Sequence, residues 1–251
     1  MSGHSKWSKV KHVKAAVDAK RGRIFTRLIK EITVAARMGG GDPDGNPRLR
    51  RAIQDAKAEN MPSDNIERAI KKGTGELEGV HYEEAHFEGY APGGVALLVE
   101  VLTDNRNRTV SEIRHLFGKN GGNLGESGCV AWMFNKRGYI AIDRSAAEED
   151  KVMSVALDAG AEDISEDEGC YEVYTRPEDF DRVLEAFRKA EIAVAESQLA
   201  MVPSNHLKVE PKVAQQVVRL TEVLEEHDDV QNVWTNLELD DATVAAMQQL
   251  A

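Results

Sequence analysis

The sequence predicts an α+β fold of three domains, an N-terminal helical domain followed by two α/β domains, one inserted in the other. Three observations predict it. Residues 8–72 carry helical periodicity without a strand-like run. Residues 139–202 alternate strand, helix, strand, strand, helix, strand, which is the ferredoxin-like order. Residues 207–251 supply a helix and a strand but no sheet of their own, so they complete the sheet begun in 80–134. The expected domains are therefore 1–78, a basic helical domain; 79–134 plus 206–251, a discontinuous α+β domain; and 135–205, an inserted ferredoxin-like α+β domain.

The elements follow in order. Val10, Val13 and Val17 recur at helical spacing. From Arg23 to Met38, the residues Ile24, Phe25, Leu28, Ile29, Ile32, Ala35 and Ala36 share one helical face. Arg23, Arg27, Lys30 and Arg37 form a cationic stripe opposite it. Gly39–Pro43 breaks this helix and reads as a linker, since it lacks the Lys-Ser/Thr of a phosphate loop and follows a helix. Asn46 before Pro47 caps a second helix. Met61–Ser63 breaks that one, and Ser63 or Asp64 opens a third that stops at Gly73. Two strands, His86–Tyr90 and the almost wholly apolar Val95–Thr103, follow around a tight turn at Tyr90–Gly94. Thr109 and Glu112 form a capping box opening a helix to about Lys119. Cys129–Phe134 reads as a strand. The alternation over 139–202 comes next, then a helix Pro211–His227 and a strand Val230–Leu237.

Charge is divided unequally along the chain. Met1–Lys72 holds 17 Lys and Arg against 8 Asp and Glu, a formal +9, while the remaining residues carry −20 of a total of −11. Between Ser2 and Lys30 the only acid is Asp18. A merely solvated helical face mixes signs, as the rest of this chain does, so the basic segment points to phosphate binding. The candidate contacts are Lys6, Lys9, Lys11, Lys14, Lys20, Arg21, Arg23, Arg27 and Lys30, with Trp7 and His12 as candidate stacking groups. Arg106 and Arg108, read as lying on a loop before a helix N-terminus, are candidates for further phosphate contacts.

No catalytic pattern accompanies these residues. The seven histidines are scattered without metal-ligand spacing, neither Cys129 nor Cys170 has a cysteine nearby, and no Gly-x-Ser-x-Gly occurs. The expectation is a non-enzyme with no cofactor and no metal. No apolar run approaches the ~20 residues that span a bilayer, and the start has no apolar stretch of a signal peptide. A cytoplasmic protein with no membrane partner is expected, with its two cysteines unpaired.

Several blocks together resemble the YebC/PmpR family. They are SGHSKWSKVKH at Ser2–His12, DAKRG at Asp18–Gly22, FTRLIKE at Phe25–Glu31, GGGDP at Gly39–Pro43, and NPRLR at Asn46–Arg50. EGYAPGG at Glu88–Gly94, DNRNRT at Asp104–Thr109, GGNLG at Gly121–Gly125 and DDVQ at Asp228–Gln231 complete the set. They span nearly the whole chain in order. The resemblance implies a small helical domain followed by two α/β domains, one interrupting the other. It also implies a regulator of gene expression, described either as a DNA-binding transcriptional regulator or, as with the related mitochondrial translational activator of cytochrome oxidase, as acting in translation at the ribosome. The expected partner is thus nucleic acid: DNA, or in the alternative ribosomal RNA with ribosomal proteins beside it. A monomer is slightly favoured.

Overall fold

The computed structural model describes residues 17–167 and 169–249. Three helices open it: α1, Val17–Gly39; α2, Pro47–Ala58; and α3, Ser63–Thr74. Their apolar faces meet in one core of Ile32, Ala35, Ala36, Leu49, Ala52, Ala56, Met61, Ile66 and Ala69, with Phe25, Leu28 and Ile29 at its margin. This is the apolar face expected of α1. Asn46 caps α2 as anticipated, its Oδ1 accepting from Leu49 N at 3.1 Å. Its Nδ2 also donates to the Ala35 carbonyl at 2.8 Å, so the Gly39–Pro43 turn is pinned to the end of α1. Helix α3 ends later than expected. Gly75, in the left-handed region at φ 84°, terminates it, and Gly73 lies within the last turn.

The first sheet is formed by β1, Glu83–Tyr90; β2, Ala96–Thr103; β3, Asn123–Leu124; and β9, Val230–Thr235, in the order β3-β1-β2-β9. The helices α4, Arg106–Lys119, and α7, Pro211–Glu225, cover one face. The second sheet has the order β5-β6-β4-β7, from β4, Phe134–Asp143; β5, Asp163–Asp167; β6, Cys170–Thr175; and β7, Glu196–Pro203. All its pairings are antiparallel. With α5, Glu149–Asp158, and α6, Phe180–Lys189, this is the ferredoxin-like arrangement. Its strands fall between β3 and β9 in the chain, so one α/β unit interrupts the other. A short parallel pair, β8, Leu207–Lys208, with β10, Leu237–Glu238, and the terminal α8, Asp241–Gln249, complete the described chain.

The central strands are apolar on both sides because each sheet is covered on both sides. In β2, Leu97, Val99 and Val101 face the helices, while Ala96 and Leu98 face the second sheet. In β4, Ile140 and Ile142 face α5 and α6, while Tyr139 and Ala141 face the first sheet. The two sheets thus meet in an apolar seam, and the layers run helix, sheet, sheet, helix. Residues 129–133 do not form the expected strand. The Glu88 carboxylate accepts hydrogen bonds from the backbone N–H groups of Gly128, Val130 and Ala131 at 2.7–2.8 Å, which holds them in a turn ending in a single 3₁₀ turn.

Candidate nucleic-acid interface

Of the candidate contacts, Lys6, Trp7, Lys9, Lys11, His12 and Lys14 lie outside the described residues. Lys20 and Arg21 belong to α1 by their backbone, with side chains outside the description. The others have defined positions. The stripe on α1 turns toward the C-terminus of α7 and the loop that follows it. The last carbonyls of that helix have no intrahelical donor, its dipole is negative there, and Glu225, Glu226, Asp228 and Asp229 add charge. Arg27 donates to the Glu225 carbonyl, and Arg23 stands 3.9 Å from the Glu226 carboxylate. Lys30 donates to the Asp228 carbonyl at 2.9 Å and the Asp229 carboxylate at 2.7 Å, with the Tyr82 ring 5.4 Å away. Arg37 bonds the Tyr82 and Val80 carbonyls.

The stripe is therefore a domain seam. Lys30 and Asp229, at 6% and 4% exposure, meet inside it. The expectation that Lys30 presents its charge outward is corrected: its ammonium is neutralised before any phosphate could approach. Arg108 is half spent in the same way. Its Nη2 lies 2.7 Å from Asp229 and 2.9 Å from Asp104. The Thr109 hydroxyl also donates to Asp229, at 2.8 Å. Burial alone would raise the Asp229 pKa, but hydrogen bonds from Lys30, Arg108 and Thr109 outweigh it and hold the carboxyl well below the usual aspartate range. The bonds of Arg108 to Asp229 and to Asp104 raise the Arg108 pKa in turn.

Arg106 and Arg108 are not on a loop. They sit in the first turn of α4, which is capped by Asn105, whose Oδ1 accepts from Arg108 N at 3.1 Å. Thr109, expected as the cap, is buried one turn in. Arg106 is exposed and makes no ion pair among the described residues.

Three exposed cations on α3, Arg68, Lys71 and Lys72, were missed. Each is without an ionic partner among the described residues. Their spacing of i, i+3 and i+4 places them on one helical face, a signal the sequence already contained. Arg114 and Lys119 on α4 are likewise exposed and without one.

Glu112, His227 and Asp229 bring ligand-type atoms within 4.8 Å of one another. The donor set does not suit a metal, since two cationic side chains already occupy the Asp229 oxygens. Neither Cys129 nor Cys170 forms a disulfide among the described residues. No described helix is long and apolar enough to cross a membrane.

Residues 5–76 match the TACO1/YebC protein N-terminal domain, and residues 82–237 match the TACO1/YebC second and third domain. The chain belongs to the TACO1/YebC family. A probable transcriptional regulatory protein of Desulfosudis oleivorans is 60% identical over 242 residues, covering 96% of this chain and 98% of its own. A protein of the same description from Desulfotalea psychrophila is 60% identical over 252 residues and covers 100% of both. The crystal structure of a conserved hypothetical protein from Aquifex aeolicus superposes with a TM-score of 0.84 at 48% identity, covering 94% of this chain and 98% of that one. The TACO1/YebC relatives are thus described as regulators over essentially this whole length. The match at residue 5 brings the basic start of the chain inside the family's first domain.

Proposed function

We propose that this protein is a non-enzymatic regulator of gene expression that binds nucleic acid through its basic helical domain, with DNA as the leading target. The observation that carries the reading is the charge division, +9 over Met1–Lys72 against −20 beyond it. Clustered Lys and Arg release counterions from a polyanion, whereas the acidic remainder is repelled by it and orients the chain. The contacts are the cations of residues 6–21, joined by Arg68, Lys71 and Lys72 and, from the second domain, by Arg106. The regulator descriptions of the relatives point the same way.

A second reading, binding to structured RNA such as that of the ribosome, is favoured by one feature. The exposed residues of α3 include Arg68, Lys71 and Lys72 beside Asp64 and Glu67, and none of them is an Asn or Gln. Such a face holds a phosphate backbone and does not read base edges.

The test is fluorescence anisotropy with a labelled DNA duplex, a DNA single strand and a folded RNA across a salt series. With about five phosphates neutralised, log K falls against log salt with a slope near −4.5 on the duplex and about −3.5 on the single strand. A flat salt response sinks the reading. Tighter binding to the RNA at every salt moves the assignment to translation.

A further inference from the structure

The apolar seam between the two sheets does not close along its whole length. Toward the start of β4 the faces part and leave a cleft of about 360 Å³. Arg137, Tyr174, Asp163 and Ser204 line it from the inserted unit and its exit, and His206 and Trp234 from the other side. Domain joints of this size and mixed lining are where small ligands sit.

Arg137 gives the cleft its chemistry. It lies on the face of β4 that also carries Tyr139 and Ala141, so it continues a buried apolar row outward with a cation. Six other arginines are half-buried among the described residues: Arg23, Arg27, Arg37, Arg48, Arg50 and Arg51. Each has a carbonyl or carboxylate partner. Arg137 has neither among the described residues, although the chain has an excess of acids. A half-buried charge left unpaired is costly, and an external anion relieves that cost.

We propose that the cleft between the two α/β domains binds a small anionic ligand, a carboxylate or a phosphate held by Arg137, with its apolar part against Tyr174 and Trp234. The Tyr174 hydroxyl donates to the buried Glu172 at 3.2 Å, so the ring and not the hydroxyl faces a ligand. Burial lowers the His206 pKa, which leaves the imidazole neutral at pH 7 and able to donate one hydrogen bond. Asp163 stands on the β5 wall and disfavours a second negative charge nearby. The cleft is too small and concave for a duplex. Because strands of both units line it, an occupant fixes their relative position, which gives a regulator an input separate from its nucleic-acid surface.

The test uses the full chain with three probes: phenyl phosphate, benzoate and inorganic phosphate, titrated by calorimetry. Phenyl phosphate and benzoate distinguish the two anion types, and inorganic phosphate removes the apolar part. Saturable binding of at least one ring-bearing probe is expected, tighter than inorganic phosphate. It should weaken at least tenfold in Arg137→Gln and not in Lys136→Gln, whose side chain lies on the opposite face of β4. Arg137→Gln breaks no hydrogen bond or ion pair among the described residues, so its melting temperature should equal that of the wild type. Ser204→Trp, which fills the cleft mouth and keeps Arg137, should also abolish binding. The proposal is overturned if no probe saturates, if both cleft variants bind as the wild type does, or if Arg137→Gln weakens nucleic-acid binding while leaving the probes untouched.

Discussion

Two buried carboxylates carry much of the local order. Asp229 accepts from Lys30, Arg108 and Thr109, so removing its charge strands the buried Lys30 ammonium at the domain seam, while the exposed Arg108 keeps Asp104. Asp229→Ala is expected to cost about 3–5 kcal/mol in urea unfolding, the range for breaking a buried pair from one side. The pH dependence has a definite sign. The folded pKa lies below the ordinary aspartate value of 3.8, so the pair's contribution is fully present above that value. It is lost as pH falls through the folded pKa. Wild-type stability should therefore drop more steeply than that of Asp229→Asn when both are titrated below pH 4. Parallel curves would show that the contact contributes nothing. Glu88, 5% exposed, plays the corresponding part for the loop at Gly128–Met133. Burial would push its pKa up, and the three backbone donors hold it down. The loop it fixes presents Trp132 at 72% exposure, with the indole N–H donating to the Cys129 carbonyl at 3.2 Å. Glu88→Ala takes the acceptor from three backbone N–H groups, of which that of Val130 is buried, with an expected loss of about 1–3 kcal/mol for each that water does not reach. A change in Trp132 emission should precede global unfolding in that variant.

Among the elements, α3 packs against α1 with little room to spare. A Cβ added at Gly73 would stand 2.7 Å from Ala36 Cβ and closer still to the Thr33 carbonyl. Gly73→Ala is therefore expected to destabilise by about 1–3 kcal/mol despite its better helix propensity, because overpacking outweighs the ~1 kcal/mol gained in propensity. Chemical denaturation of the two proteins checks this, and a stabilised variant would contradict the close approach. The elements also show where periodicity was enough and where it was not. The three helices, the central β2 and the alternation over 139–202 were legible, since each rests on spacing within one element. The segment Cys129–Phe134 was misread because its backbone donors are taken by Glu88, forty residues earlier. The start of α4 was misplaced because Thr109 looks like a cap in sequence but is claimed by Asp229, 120 residues later.

At the scale of the molecule, charge is separated and then partly reconnected. The helical domain is bolted to both α/β units. Arg48 bridges Glu31 and Glu84, and Arg51 lies over the Phe180 ring at 4.1 Å and bonds the Ser197 carbonyl. The cations inside these contacts are not available to a polyanion, and those on the outer face of α3 are. Reversal of Arg68, Lys71 and Lys72 to Glu is accordingly expected to make the salt slope of nucleic-acid binding shallower by about 2–3, roughly 0.9 for each lost phosphate contact. Arg27→Glu should instead lower stability, with little change in slope. The opposite pattern in anisotropy and melting would place the binding face on the stripe of α1.

The sequence by itself determined the α+β class, the inserted order of the units and the polarity of charge along the chain. Each of these is written in local periodicity, element order or residue counts. Only the tertiary structure decided which described cations lack an ionic partner among the described residues, that Lys30 and Arg27 end against the C-terminus of α7, and that Arg137 opens into a cleft without a partner among the described residues. The physical reason is that a charge takes its meaning from what lies within a few ångströms of it. For this chain those neighbours, Asp229, Glu225 or an empty cleft wall, are brought together only by the packing of elements distant in sequence.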